Sequence, residues 1–64
     1  MKVSVNAVIL RYYNITFDTN DGATYAEIRE NAKQYIVDHP EELRELALDI
    51  EEEDINDIYG IEEE

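Results

Sequence analysis

Carboxylates are the reactive side chains that this sequence has in excess, and they are crowded toward one end. Residues 38–64 carry thirteen acids and one base, Arg44, whereas residues 1–37 carry four acids and four bases. The whole net charge of −12 therefore belongs to the second segment. Interspersed charges of both signs would keep a small domain soluble with less repulsion. Charge of one sign gathered in one segment points instead to a cationic partner.

Carboxylates also serve proton transfer and metal binding, and the sequence supports neither well. An acid–base pair needs pKa values pushed apart by a pocket, and 64 residues hardly form one. His39 is the only general base near neutral pH, and Ser4 is the only serine. They fall on different elements, with no glycine-rich elbow or oxyanion motif nearby. No catalytic residue is assigned, and the chain is expected not to be an enzyme. Asp18, Asn20, Asp21, Gly22 and Glu27 have the types of a calcium loop, but an EF-hand needs glycine at position 6 and glutamate at position 12. Here they stand at positions 5 and 10, so a turn is the expectation. Glu51, Glu52, Glu53 and Asp54 offer divalent cations only diffuse attraction. The absence of cysteine and the single histidine remove disulfides and structural zinc. No metal or cofactor is expected.

The elements that carry these acids are read from periodicity. Val3, Val5, Ala7 and Ile9 alternate with polar residues, and Tyr13, Ile15 and Phe17 resume the odd positions. A period of two predicts strands, about 2–10 and 12–18, joined near Arg11 as a hairpin or as one long bulged strand. Residues 18–22 (Asp-Thr-Asn-Asp-Gly) then make a turn. Thr24 and Glu27 have the spacing of a capping box. Tyr25, Ile28, Ala32, Tyr35 and Ile36 follow at intervals of three and four, predicting a helix over about 25–37. Pro40 ends it and suits the first turn of a second helix, about 40–52, whose apolar stripe is Leu43, Leu46, Ala47 and Ile50. Ile55, Ile58 and Tyr59 predict a short third helix, about 54–59, stopped by Gly60, with residues 62–64 frayed. The fold class is therefore α+β: short antiparallel strands followed by two or three helices in a single small domain, 1–64.

On the second helix Glu42, Glu45, Asp49 and Glu52 or Glu53 share one face. The candidate partner-binding face comprises Glu41, Glu42, Glu45, Asp49, Glu52, Glu53 and Asp57. As a continuous helix, residues 38–64 would span about 40 Å. Twelve net charges over that length give one per about 3.4 Å, close to the phosphate spacing along one DNA strand.

In its small size, lack of cysteine and dense acids over residues 38–64 (Glu41-Glu42, Glu45, Asp49, Glu51-Glu52-Glu53-Asp54) the chain resembles the phage-encoded DNA-mimic inhibitors. The resemblance lies in composition, since those proteins share no motif. It implies a protein that binds the basic surface of a host DNA-binding protein and competes with DNA. The targets of such inhibitors are restriction enzymes, CRISPR nucleases, RNA polymerase or nucleoid proteins such as the histone-like HU; an HU-like target suits so short a chain best. Two other readings stand beside it. One is an adaptor whose acidic helix docks a basic partner without copying DNA, and the other is a structural or antitoxin-like subunit that binds through its strand edge. In all three the partner is a protein, with no direct contact to nucleic acid.

No stretch approaches the roughly 20 apolar residues of a membrane span, and Arg11 interrupts the short apolar run at the N-terminus, so no membrane partner is expected. The expected location is the cytoplasm, that of the host if the protein is phage-encoded. A homodimer that enlarges the small core is a further expectation.

Overall fold

The computed structural model describes residues 1–42 and 50–64. Three antiparallel strands form one sheet: β1, Lys2–Ile9; β2, Arg11–Asp18; and β3, Asp57–Glu63. Their order is β2-β1-β3, which makes β1 the central strand. Among the described residues one helix, α1, spans Tyr25–Asp38, and single 3₁₀ turns occupy Pro40–Glu42 and Glu52–Asp54.

β1 and β2 are a hairpin closed by one residue. Ile9 pairs with Arg11, which leaves Leu10 alone at the tip with φ 65°. That left-handed conformation costs a branched side chain about 1–2 kcal/mol, and Leu10 is nevertheless 81 % exposed. The regular pairing from Lys2↔Asp18 to Ile9↔Arg11 keeps all odd positions on one face. Val3, Val5, Ala7, Ile9, Ile15 and Phe17 are accordingly buried.

α1 covers that face. Thr24 Oγ1 accepts from the Glu27 amide at 3.2 Å, and Glu27 Oε1 accepts from the Thr24 amide at 3.2 Å, so two free donors at the helix start are satisfied together. Ile28, Ala32 and Ile36 recur every four residues and pack on the sheet. Phe17 stacks on Tyr35 with ring centroids 5.4 Å apart. Tyr25, placed in the apolar stripe by spacing alone, is instead 67 % exposed. His39 ends the helix: its amide donates to the Tyr35 carbonyl, and its ring lies 4.4 Å from that of Tyr35.

The expectation of two or three helices is overturned. Residues 54–59 are not a helix; from Asp57 the chain is a strand paired to β1. Of the expected helix 40–52, Pro40–Glu42 is a 3₁₀ turn and Ile50 and Glu51 are not helical, while residues 43–49 lie outside the described residues. The terminal acids are not frayed either: Glu62 and Glu63 pair with Ser4 and Val3, and the Glu64 amide donates to the Lys2 carbonyl.

Ile55 and Ile58, buried and three apart, have the spacing of a helix, but Ile55 closes the second 3₁₀ turn and Ile58 belongs to β3, a strand that carries a bulge. Between the pairs Asn6↔Tyr59 and Ser4↔Glu62, Gly60 and Ile61 together face Val5. Gly60 has φ 62°, the conformation of the first residue of a glycine bulge. Ile58 points into the core and Tyr59 out; the extra residue turns Ile61 inward again, where it packs against the core. Ile58 and Ile61 thus face inward three residues apart, a spacing that the bulge produces.

Candidate functional site

The acids of residues 51–64 number eight, with no base among them, and all eight are exposed. Two elements display them. Glu52, Glu53 and Asp54 form the second 3₁₀ turn, preceded by Glu51, whose amide donates to Asp54 Oδ2 at 2.9 Å. Asp57, Glu62 and Glu63 lie on β3, the acidic outer strand of the sheet. The Asn56 amide donates to the Val8 carbonyl at 2.9 Å and joins the two elements near the hairpin tip.

The acids crowd one another around the second turn. Glu53, hydrogen-bonded to Glu51 and repelling it, holds the Glu51 carboxyl above the usual glutamate range, and Asp54 adds to the effect. Glu41 is pushed the other way: its own backbone amide and then His39 lower its pKa. The His39 Nδ1 to Glu41 Oε1 distance is 3.1 Å.

The residues expected to share one helix face are therefore dispersed. Glu41 is exposed on the first 3₁₀ turn, which also contains the backbone of Glu42. Glu52 and Glu53 are exposed on the second turn, and Asp57 opens β3 opposite Val8. Glu45 and Asp49 lie outside the described residues. The structure thus brings Glu52, Glu53 and Asp57 into neighbouring positions along the chain and places Glu41 on another element.

The sheet face opposite α1 adds residues that the sequence reading left out. It presents three rows across the strands: Tyr12–Val8–Asp57, Asn14–Asn6–Tyr59 and Thr16–Ser4–Glu62. Tyr12 is 77 % exposed and Tyr59 42 %. Asn14 Nδ2 donates to Ser4 Oγ at 3.0 Å and to Asn6 Oδ1 at 3.2 Å, satisfying the one buried polar side chain among the described residues. The sequence signals at Tyr59 and Glu62 point elsewhere, to a short helix and to a frayed acidic end. A glycine directly after the Ile58-Tyr59 pair, within an Ile-x-x-Ile-x-x-Ile run, is the available signal.

A groove of about 260 Å³ opens beside the start of α1, lined by Val3, Ala23, Ile28, Ile61 and Glu63 among others. Its one carboxylate faces no histidine or second acid in the lining, so it offers no acid–base pair. Among the described residues no three His, Cys, Asp or Glu side chains converge as metal ligands, and no helix is long and apolar enough to cross a membrane. Comparison with protein-family models, with curated proteins and with solved structures finds no match.

Proposed function

We infer that this protein is an acidic inhibitor of the DNA-mimic type, which occupies the basic nucleic-acid-binding surface of a partner protein and excludes DNA from it. The observation that carries this reading is the run of eight exposed acids without a base over residues 51–64, arranged along the second 3₁₀ turn and the β3 edge. With a rise of about 2.0 Å per residue in the turn and 3.3 Å in the strand, the acids recur about every 5 Å of chain. The spacing is looser than that of a uniform helix but remains on the scale of a phosphate backbone.

The sheet supplies what a mimic needs beyond charge. Carboxylates on hydrogen-bonded backbone are held in place before binding, so less ordering is required on association. The long-range field steers a cationic partner toward this edge. A partner of HU-like size, with a modest basic groove, matches a chain of this length better than a large nuclease channel does. A cytoplasmic location goes with such a target.

Charge reversal tests the reading. Glu52→Lys, Glu53→Lys and Asp57→Lys together are expected to abolish displacement of DNA from an HU-type protein while the fold stays intact, because all three side chains are exposed. Displacement that survives the triple change sinks the proposal. Binding that ignores both salt and added DNA would mark an adaptor instead. β1 is paired on both sides, so a contact through a strand edge must use β2 or β3.

A further inference from the structure

Along the open face of β3 the side chains run acid, tyrosine, acid: Asp57, Tyr59 and Glu62, opposite Val8, Asn6 and Ser4 of β1. At about 3.4 Å per residue, each is about 7 Å from the next. This alternation exists only because of the bulge. In a regular strand the face that shows Asp57 and Tyr59 would next show Ile61. The extra residue at Gly60 sends Ile61 inward and brings Glu62 up beside Tyr59. Bulges re-aim side chains in this way, commonly beside functional sites. Among the described residues no side-chain hydrogen bond or ion pair engages Asp57, Tyr59 or Glu62.

We propose that this ladder reads arginine side chains on an extended segment of the basic partner, laid alongside β3. The inference rests on the proposed function and names the surface and the partner chemistry. A guanidinium is planar and weakly hydrated, so it stacks on an aromatic ring while its donors fork onto carboxylates. Tyr59 supplies the ring, with a carboxylate on either side of it. Tyr12 extends the aromatic surface across Val8, about 12 Å from Tyr59 by strand spacing and rise. Charge complementarity selects the occupant: an acidic outer strand repels a second copy of this chain, whereas a strand with arginine at alternate positions presents its cations at the spacing of the ladder. Among the described residues no strand pairs with the outer edge of β3, so such a segment can add there as in other cases of strand addition.

The test uses the full chain, labelled with ¹⁵N, and a peptide of alternating arginine and serine at low salt. Amide shifts are expected to concentrate on Val8, Asp57, Tyr59 and Glu62. Tyr59→Ala should weaken binding about threefold, and Tyr59→Phe should restore it, since the ring and not the hydroxyl is used. A lysine–serine peptide should bind more weakly than the arginine peptide. Shifts confined to the two 3₁₀ turns, or equal affinity of wild type and a folded Tyr59→Ala variant, would overturn the inference. The two readings fail separately. If charge reversal abolishes DNA displacement while Tyr59→Ala leaves displacement and peptide affinity unchanged, the ladder is wrong and the mimic stands. If the peptide seats on the ladder but DNA is never displaced, the ladder stands and the mimic falls.

Discussion

Gly60 is the residue on which the face of β3 depends. At φ 62° an alanine is strained, and its Cβ would lie 2.5 Å from Asn6 Nδ2. Asn6 is a flexible side chain that also accepts from Asn14 Nδ2, so it can shift, and most of the cost is backbone strain. Gly60→Ala is expected to lower stability by about 1–2 kcal/mol in denaturant titration; an unchanged midpoint would contradict the bulge. The carboxylates make a second prediction at this scale. Glu51 has a folded-state pKa above its unfolded value, so the folded form gains stability as pH falls through that pKa, and the gain is complete below the unfolded value. Glu41 is lowered, so its contribution is present above the unfolded value and is lost as pH falls through the folded one. At low salt the melting temperature should therefore rise as pH falls from 7 toward the ordinary glutamate range and decline below that range. Glu51→Gln should raise the melting temperature at pH 7 and flatten the rise. A melting temperature that falls steadily from pH 7 downward would contradict the crowding of Glu51 by Glu53.

Elements whose signals are local were legible in the sequence. The Thr24–Glu27 spacing marks the start of α1 because both capping contacts form within one turn. Thr24→Ala is expected to cost about 1 kcal/mol, read as a lowered denaturation midpoint; no change would mean that the box contributes nothing to stability. The alternation of β1 and β2 was legible because their pairing is unbroken from Lys2↔Asp18 to Ile9↔Arg11. Hairpin closure was not, since a single leucine at positive φ carries no turn signature. β3 was not legible for a different reason: its partners lie 49 to 60 residues upstream, and its bulge sets Ile58 and Ile61 three apart on one face. In the sequence Gly60 reads as the stop of a helix, where a left-handed glycine is as common as in a bulge. The candidate site inherited that error. The acids themselves were identified, but Tyr59 and Glu62 come to one face only through the register of β3 on β1.

At the scale of the molecule, a neutral hairpin and helix support an acidic edge. α1 and the odd face of β1 and β2 make the core, with Ile50, Ile55 and Ile58 closing it from the acidic half. The eight acids of residues 51–64 then lie together on one border of the sheet and the turn before it. Their mutual repulsion opposes folding, so stability should rise with added salt; the triple change of Glu52, Glu53 and Asp57 to lysine should raise the low-salt melting temperature and reduce that dependence. An unchanged salt dependence would show that these acids do not act as one field. The most direct test of the central claim is competition. Labelled duplex DNA is held by an HU-type protein, and this protein is titrated in at about 50 mM and at about 200 mM salt. The account predicts that DNA is released stoichiometrically at low salt, with an apparent affinity that falls on the order of a hundredfold at the higher salt for four or five ionic contacts. DNA that remains bound at both salt concentrations would contradict it.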